Sequence, residues 1–231
     1  MHKVKQSLVF FALTITTLFE FYNKIFLFYK IMPKNRGDEV TDRLRLYVDM
    51  DGTLAEFKKV DTLEKLYEKG YFLNLEPNMN VVDAIRSIVT DHSEIEVYIL
   101  SAVLSDSSYA VTEKNAWLDQ YLPEIDISHR LYPHCGTDKK EFLEKEFGSI
   151  GNKDFLLDDY SANLHSWEPP AKGIKLMNGI NGNHGTWNKE KVSIECEAAD
   201  MTECILNIIA RSTEKNLETE RFNAMLRRKG R

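Results

Sequence analysis

Two pairs of carboxylates stand at the ends of short apolar runs in this sequence. Asp49 and Asp51 end the first run and lead into Gly-Thr, and Asp158 and Asp159 directly follow the run at residues 155–157. If these runs are neighbouring strands, four carboxylates share one pocket and repel one another, so the pocket needs a cation. Oxygen ligands without Cys or His favour Mg²⁺. The pattern therefore predicts a magnesium site.

A hydroxyl at the end of another apolar run adds a second kind of chemistry. Ser101 directly follows residues 95–100, and several lysines lie between it and the second carboxylate pair. A carboxylate–metal cluster beside a hydroxyl and a lysine suits a phosphate group, because cations neutralise its charge and its oxygens accept hydrogen bonds. One aspartate of the first pair can then attack phosphorus. The other can protonate the leaving oxygen and later activate water.

The apolar runs alternate with segments of helical periodicity, which predicts an α/β protein, a three-layer sandwich around a mostly parallel sheet. We expect strands at residues 44–50, 95–100, 129–132, 155–157 and 173–177, and helices at 81–89 (with Asn80 as its cap), 109–121, 139–147 and 201–210. Ligands of such sheets bind outside the carboxyl ends of the strands. The carboxylates, Ser101 and the Asn/Gly/His-rich loop 178–187 all fall at that edge.

Composition and charge exclude several classes of protein. The chain has 231 residues, of which 43% are hydrophobic, and a net charge of −6. It is long enough for one sizeable core, too apolar for a disordered chain, and without the basic excess of a protein that coats nucleic acid. The three cysteines, Cys135, Cys196 and Cys204, form no zinc-ligand pattern.

The first 31 residues form an apolar segment that we keep apart from the fold. Three interpretations stay open: a poor membrane anchor within residues 7–32, an over-extended reading frame of a cytoplasmic protein that starts at Met32, and a cleaved signal peptide. Residues 32–43 are expected to be a polar linker. The catalytic domain is expected to cover residues 44–210, and residues 211–231 a charged C-terminal tail.

Three motifs resemble those of the haloacid dehalogenase superfamily. YVDMDGTLAEF resembles its first motif, YILSA its second and FLLDDY its fourth, and the third motif in this superfamily is a lone lysine. Within the superfamily, DMDGTLAEF, KNAWLDQYLP and the Gly-x-Asp-Lys stretch 136–139 are most similar to the 5'(3')-deoxyribonucleotidase group and its bacterial and phage relatives. The resemblance covers about residues 44–180.

The resemblance implies a role for each matched residue. Asp49 corresponds to the nucleophile and Asp51 to the general acid/base, whose backbone carbonyl also contacts Mg²⁺. Asp158 and Asp159 correspond to the metal-binding pair. The phosphate-binding positions are Ser101, Ala102 and one lysine, for which Lys139 is the first choice, Lys114 the second and Lys140 the third. Ala102 replaces the second side-chain donor that the group usually has here.

The implied substrate is a small phosphate ester, most directly a nucleoside monophosphate, and not a nucleic-acid polymer. A small cap is expected at about residues 58–80, with Phe57 and Phe72 as substrate contacts or as parts of the cap's own core. Asn178 and His184 in the loop 178–187 are further expected contacts. Another phosphate ester such as a phosphosugar, and a phosphate-binding protein without turnover, remain alternatives. A membrane partner is expected only for the anchor interpretation, and a homodimer stays open.

Overall fold

Six parallel strands form the centre of the protein. The structure, a computed structural model, describes residues 43–57, 60–180 and 186–229. Its strands are β1 (Leu44–Val48), β2 (Ile95–Leu100), β3 (Arg130–Leu131), β4 (Asp154–Asp158), β5 (Lys172–Met177) and β6 (Lys191–Ser193). Its α-helices are α1 (Met79–Asp91), α2 (Ala110–Tyr121), α3 (Lys139–Phe147), α4 (Ser161–Trp167) and α5 (Ala198–Lys229), with 3-10 helices at Leu63–Tyr67 and Ile127–His129. The predicted α/β class is confirmed.

The order of the strands places the carboxylates together. The sheet runs β3-β2-β1-β4-β5-β6, and each neighbouring pair is parallel. The chain therefore builds one half of the sheet outward from β1 and then returns to add β4 on the other side of β1. Ligands bind at such a reversal, outside the carboxyl ends of the two central strands. Those ends carry Asp49 and Asp158.

Helices cover both faces of the sheet, because alternate residues of each strand point to opposite sides. On one face, Leu46 and Val48 of β1 share a buried cluster with residues of α1, α2 and α5. On the other face, Tyr47 packs in a second cluster with Leu143 of α3 and Trp167 of α4. The two clusters and the sheet between them make the predicted three layers.

Several elements differ from the expected ones. Helix α1 begins at Met79, and Asn78 stands at the cap position in place of Asn80. The amide of Asn78 donates to the Thr53 carbonyl and not to the helix. Helix α4 and strand β6 were not expected from periodicity, because each is short. Helix α5 continues past Ala210 to Lys229, since Glu, Lys, Arg and Leu favour helix without an apolar stripe.

The segment between β1 and α1 is the region in which the sequence predicts a cap. We call residues 60–78 the cap segment. Its end returns to the chain that follows β1, where Glu56 N donates to Glu76 O and Asn78 N donates to Leu54 O. Among the residues that the structure describes, no helix is both long and apolar enough to cross a membrane. Residues 1–42, with the predicted apolar segment and nearly all of the linker, lie outside the described residues.

Candidate active site

The carboxyl ends of the central strands bring the predicted residues to one place. Asp49 directly follows β1, and its backbone N–H donates to the Leu157 carbonyl of β4 at 2.9 Å. Ser101 directly follows β2, and its N–H donates to the Leu131 carbonyl of β3 at 3.0 Å. Backbone bonds between neighbouring strands therefore hold together side chains that lie far apart in the sequence.

Three carboxylates form a compact acidic cluster at the switch between β1 and β4. Asp49, Asp158 and Asp159 each offer an oxygen atom, and these oxygens lie within 4.8 Å of one another. All three side chains are buried. The Lys139 ammonium lies 2.6 Å from Asp49 Oδ1 and 2.7 Å from Asp158 Oδ2. One lysine thus bridges two of the three carboxylates.

The cluster has three carboxyl groups but one bridging lysine, so burial and mutual repulsion make its ionised form unfavourable. Burial, together with the neighbouring carboxylates, raises the pKa of Asp49 to about 8, although Lys139 acts in the opposite direction. Burial lowers the pKa of Lys139, but the carboxylates of Asp158 and Asp49 outweigh this effect and raise it above its usual value. An all-oxygen donor set with excess negative charge fits a hard divalent cation such as Mg²⁺.

A second ion pair lies beside the cluster. The Lys114 ammonium lies 2.6 Å from Asp51 Oδ2, and it donates to Ser101 Oγ at 2.7 Å and to the Ala102 carbonyl at 2.9 Å. The Asp51 carboxylate therefore faces Lys114, and it is not a member of the acidic cluster found among the described residues. Within the residues that the structure describes, Asp51 Oδ1 and Thr53 Oγ1 are buried and have no hydrogen-bond partner. Both atoms suit a bound ligand.

The turn after β1 depends on a glycine. Gly52 has a φ of 87°, in the left-handed region, and a Cβ built on it would lie 2.5 Å from Asp159 Oδ2. Asn178 closes the same turn, since its Nδ2 donates to the Gly52 carbonyl and to Asp159 Oδ2, both at 2.7 Å. The sequence predicts Asn178 as a substrate contact, whereas the structure uses its amide to hold the turn against Asp159.

Replacing Gly52 with Ala will therefore disturb the acidic cluster. We expect a fall in kcat/KM of about 100-fold, because the new methyl group displaces Asp159 by the ångström or so that catalytic geometry does not tolerate. Gly148→Ala is the matched control, since Gly148 has a φ of 90° but nothing within 4 Å of its Cβ position. Equal losses in the two variants would mean that backbone strain, and not the contact with Asp159, causes the effect.

The structure separates the three candidate lysines. Lys139 and Lys114 both reach the site, each against a different aspartate of the first motif. Lys140 does not, because its ammonium donates to the Pro169 carbonyl on the surface. The sequence ranks Lys139 ahead of Lys114 as the phosphate-binding lysine, and the structure gives each of them a distinct partner, Asp49 for Lys139 and Asp51 for Lys114.

Of the other expected substrate contacts, the structure describes Phe57 and Phe72. Phe72 is 4% exposed and its ring centroid lies 4.8 Å from the Lys114 ammonium, so it packs against that lysine. Phe57 is half-buried beside the turn that follows β1. His184 lies outside the described residues.

Two residues that sequence reasoning missed support the second carboxylate pair. Asn163 Nδ2 donates to Asp158 Oδ2 at 2.8 Å, and the buried Lys175 ammonium donates to the Asp159 carbonyl at 2.9 Å and to Ser161 Oγ at 2.7 Å. A lysine inside the apolar strand GIKLM was the available signal for Lys175. Asn163 follows FLLDDY closely enough to lie on the first turn of a helix there.

The chain is similar to one protein family and to chains of known structure. The model of the family described as "5' nucleotidase, deoxy (Pyrimidine), cytosolic type C protein" matches residues 49–212. A chain of a Pnkp1/Rnl/Hen1 complex is similar with 20% identity and a TM-score of 0.43, over 60% of this chain and 48% of that one, so this chain spans about half its length. A hypothetical protein of Xanthomonas campestris is similar with 15% identity and a TM-score of 0.42, over 78% of this chain and 88% of its own.

The family match covers most of the chain and contains both carboxylate pairs, Ser101 and the two site lysines. It confirms the resemblance that the motifs carry. The chain therefore belongs to the cytosolic type C 5'-nucleotidase family, a family of phosphoric monoester hydrolases in the haloacid dehalogenase superfamily.

Proposed function

We propose that this protein is a Mg²⁺-dependent phosphatase of deoxyribonucleoside monophosphates that works through an aspartyl-phosphate on Asp49. The observation that carries the proposal is that two aspartates only two residues apart have different partners. Asp49 is bridged by Lys139 to Asp158 in the acidic cluster, while Asp51 is paired with Lys114 beside Ser101. Different surroundings give two similar carboxylates different roles.

The charges of the site fit one divalent cation and one phosphate dianion. If all of these groups are ionised, the four carboxylates and the three lysines Lys114, Lys139 and Lys175 leave one net negative charge. A single Mg²⁺ turns this into one net positive charge, which attracts a phosphate ester. Asp49, Asp158 and Asp159 would hold the ion, with the Asp51 carbonyl as the further ligand that the family resemblance implies. When bound, it would neutralise the carboxylates and the phosphate oxygens.

The reaction then follows from the positions of the two aspartates. An oxygen of Asp49 attacks phosphorus, the bond from phosphorus to the ester oxygen breaks, and Asp51, which enters this step protonated, gives its proton to that leaving oxygen. In the second half, Asp51 takes a proton from water. The resulting hydroxide attacks the phosphorus of the aspartyl-phosphate and releases inorganic phosphate with Asp49 restored.

The cations and the hydroxyl act on the phosphoryl oxygens. The Lys114 ammonium donates to Ser101 Oγ at 2.7 Å, so the Ser101 hydroxyl can donate its own hydrogen to a phosphoryl oxygen while Lys114 supplies positive charge beside it. Lys139 holds the Asp49 carboxylate in place for attack. Developing charge on the phosphoryl group is thus met by donors already in position, which is how such sites lower a barrier.

A substrate panel tests the proposal directly. We expect the protein to release phosphate from 5'- and 3'-deoxyribonucleoside monophosphates in Mg²⁺ at least about tenfold more efficiently than from phosphosugars, since the family acts on nucleotides. Phosphate release is measured with and without EDTA. Preference for phosphosugars would overturn the substrate, and phosphate binding without release from any ester would overturn the catalytic function.

A further inference from the structure

One face of α2 holds the cap segment. Glu113 Oε1 accepts a hydrogen bond from Gly70 N at 2.5 Å, and Oε2 accepts one from Phe72 N at 3.2 Å. One turn further along the helix, Trp117 Nε1 donates to the Leu75 carbonyl at 2.8 Å. Residues four apart lie on the same side of a helix. The two side chains therefore fasten the cap segment at both ends of the stretch from Gly70 to Leu75.

The fastened stretch covers the lysine that serves the phosphate site. Phe72 lies against the Lys114 ammonium, and the Lys114 side chain is completely buried. Lys114 is the residue after Glu113, so one helix carries both the cation and the group that holds its cover. The buried ring takes the place of water on one side of the ammonium.

The chemistry described above gives Glu113 no task. Its side chain is 6% exposed, and burying a carboxylate is costly unless hydrogen bonds compensate. The two backbone N–H groups of the cap segment offset this cost, so the buried carboxylate is compensated while the segment lies against α2. A buried carboxylate used in this way sets geometry more than it adds stability.

We propose that Glu113 is a positioning residue that keeps the cap segment closed over Lys114, so that phosphate meets a dry ammonium. The inference rests on the proposed phosphatase function. A charge in a site without water acts on phosphate more strongly than the same charge in solvent. Opening the cap segment would hydrate Lys114 and weaken phosphate binding, while the acidic cluster stays intact.

Glu113→Gln tests the hydrogen bonds and the binding together. The amide keeps one acceptor oxygen and turns its NH₂ group toward the other backbone N–H, so one bond is lost. We expect faster hydrogen exchange confined to residues 70–72, and inorganic phosphate in Mg²⁺ binding about tenfold more weakly by calorimetry, the size of one bond to a charged acceptor. Glu144→Gln, at an exposed position of α3, should change neither quantity.

Phe72→Leu separates positioning from stability. If Glu113 acts through Phe72, both single variants weaken phosphate binding, and the double variant binds no more weakly than the weaker single one. Additive losses, or unchanged phosphate affinity with exchange accelerated at residues 70–72, would overturn the inference. Should Glu113→Gln fail to fold, unchanged affinity in Phe72→Leu would overturn it alone. Wild-type protein that neither binds phosphate nor hydrolyses any ester would instead refute the proposed function.

Discussion

Replacing Asp49 with Asn will abolish turnover and leave the fold intact. We expect kcat to fall by at least about 10³-fold, because the amide cannot form the acyl phosphate of the proposed reaction. The side chain keeps its size and its place at the end of β1, so substrate and inorganic phosphate should still bind. Phosphate release under single-turnover conditions measures the loss, and far-UV circular dichroism and Tm report the fold.

The stability of Asp49→Asn tests the electrostatics of the cluster independently of activity. Burial and the carboxylates of Asp158 and Asp159 raise the pKa of Asp49 to about 8, whereas the same carboxyl is ionised at neutral pH in the unfolded chain, so this group disfavours folding at pH 7. Asparagine removes that cost and also removes the ion pair with Lys139. We therefore expect a Tm within a few degrees of the wild type.

Two further variants make the result specific. Asp51→Asn should also reduce turnover severely, and the double variant should be little worse than either single one, since members of one catalytic unit are not additive. Asp200→Asn, at an exposed position of α5, should be fully active. Substantial activity in Asp49→Asn would remove the covalent mechanism.

Much of the fold and site was readable because the chemistry sits at strand ends. Each buried run that ends in a carboxylate or hydroxyl is a strand in the structure, and parallel strands bring their carboxyl ends to one edge. The order of the strands was not readable, because Leu44–Val48 pairs with β2 and β4 at once and neither pairing leaves a local signal. The placement of β4 beside β1, which creates the site, is long-range information.

The supporting residues were hidden for a different reason. Asn178, Asn163 and Glu113 have no distinctive neighbours in the sequence. Asn178 and Glu113 bond to groups that are far away in the chain. Asn163 reaches Asp158 because of the path of the backbone between them, which the sequence does not specify. Lys139 and Lys114 were both recognised as candidates. The sequence could not show which aspartate each lysine contacts, because both lysines lie on helices and their reach depends on where α2 and α3 pack.

Removing divalent metal will abolish hydrolysis, and Mg²⁺ will restore it. Three buried carboxylates lie within 4.8 Å of one another with one bridging lysine, so the site for phosphate is negative until a cation binds. We expect activity to fall to background in excess EDTA and to return with Mg²⁺. Ca²⁺ should restore little, since it prefers more ligands and longer bonds that would misplace the Asp49 carboxylate.

The same ion should stabilise the folded protein, which gives a measurement without turnover. A ligand that binds only the native state at about 100 times its Kd adds about 2.7 kcal/mol to the free energy of unfolding. We therefore expect Mg²⁺ to raise Tm in the wild type and much less in Asp159→Asn, which loses one carboxylate of the cluster. Asp200→Asn provides the control with the same charge change on the surface. Activity that survives exhaustive chelation, or an equal Mg²⁺ effect on Tm in all three proteins, would refute a metal site at Asp49, Asp158 and Asp159.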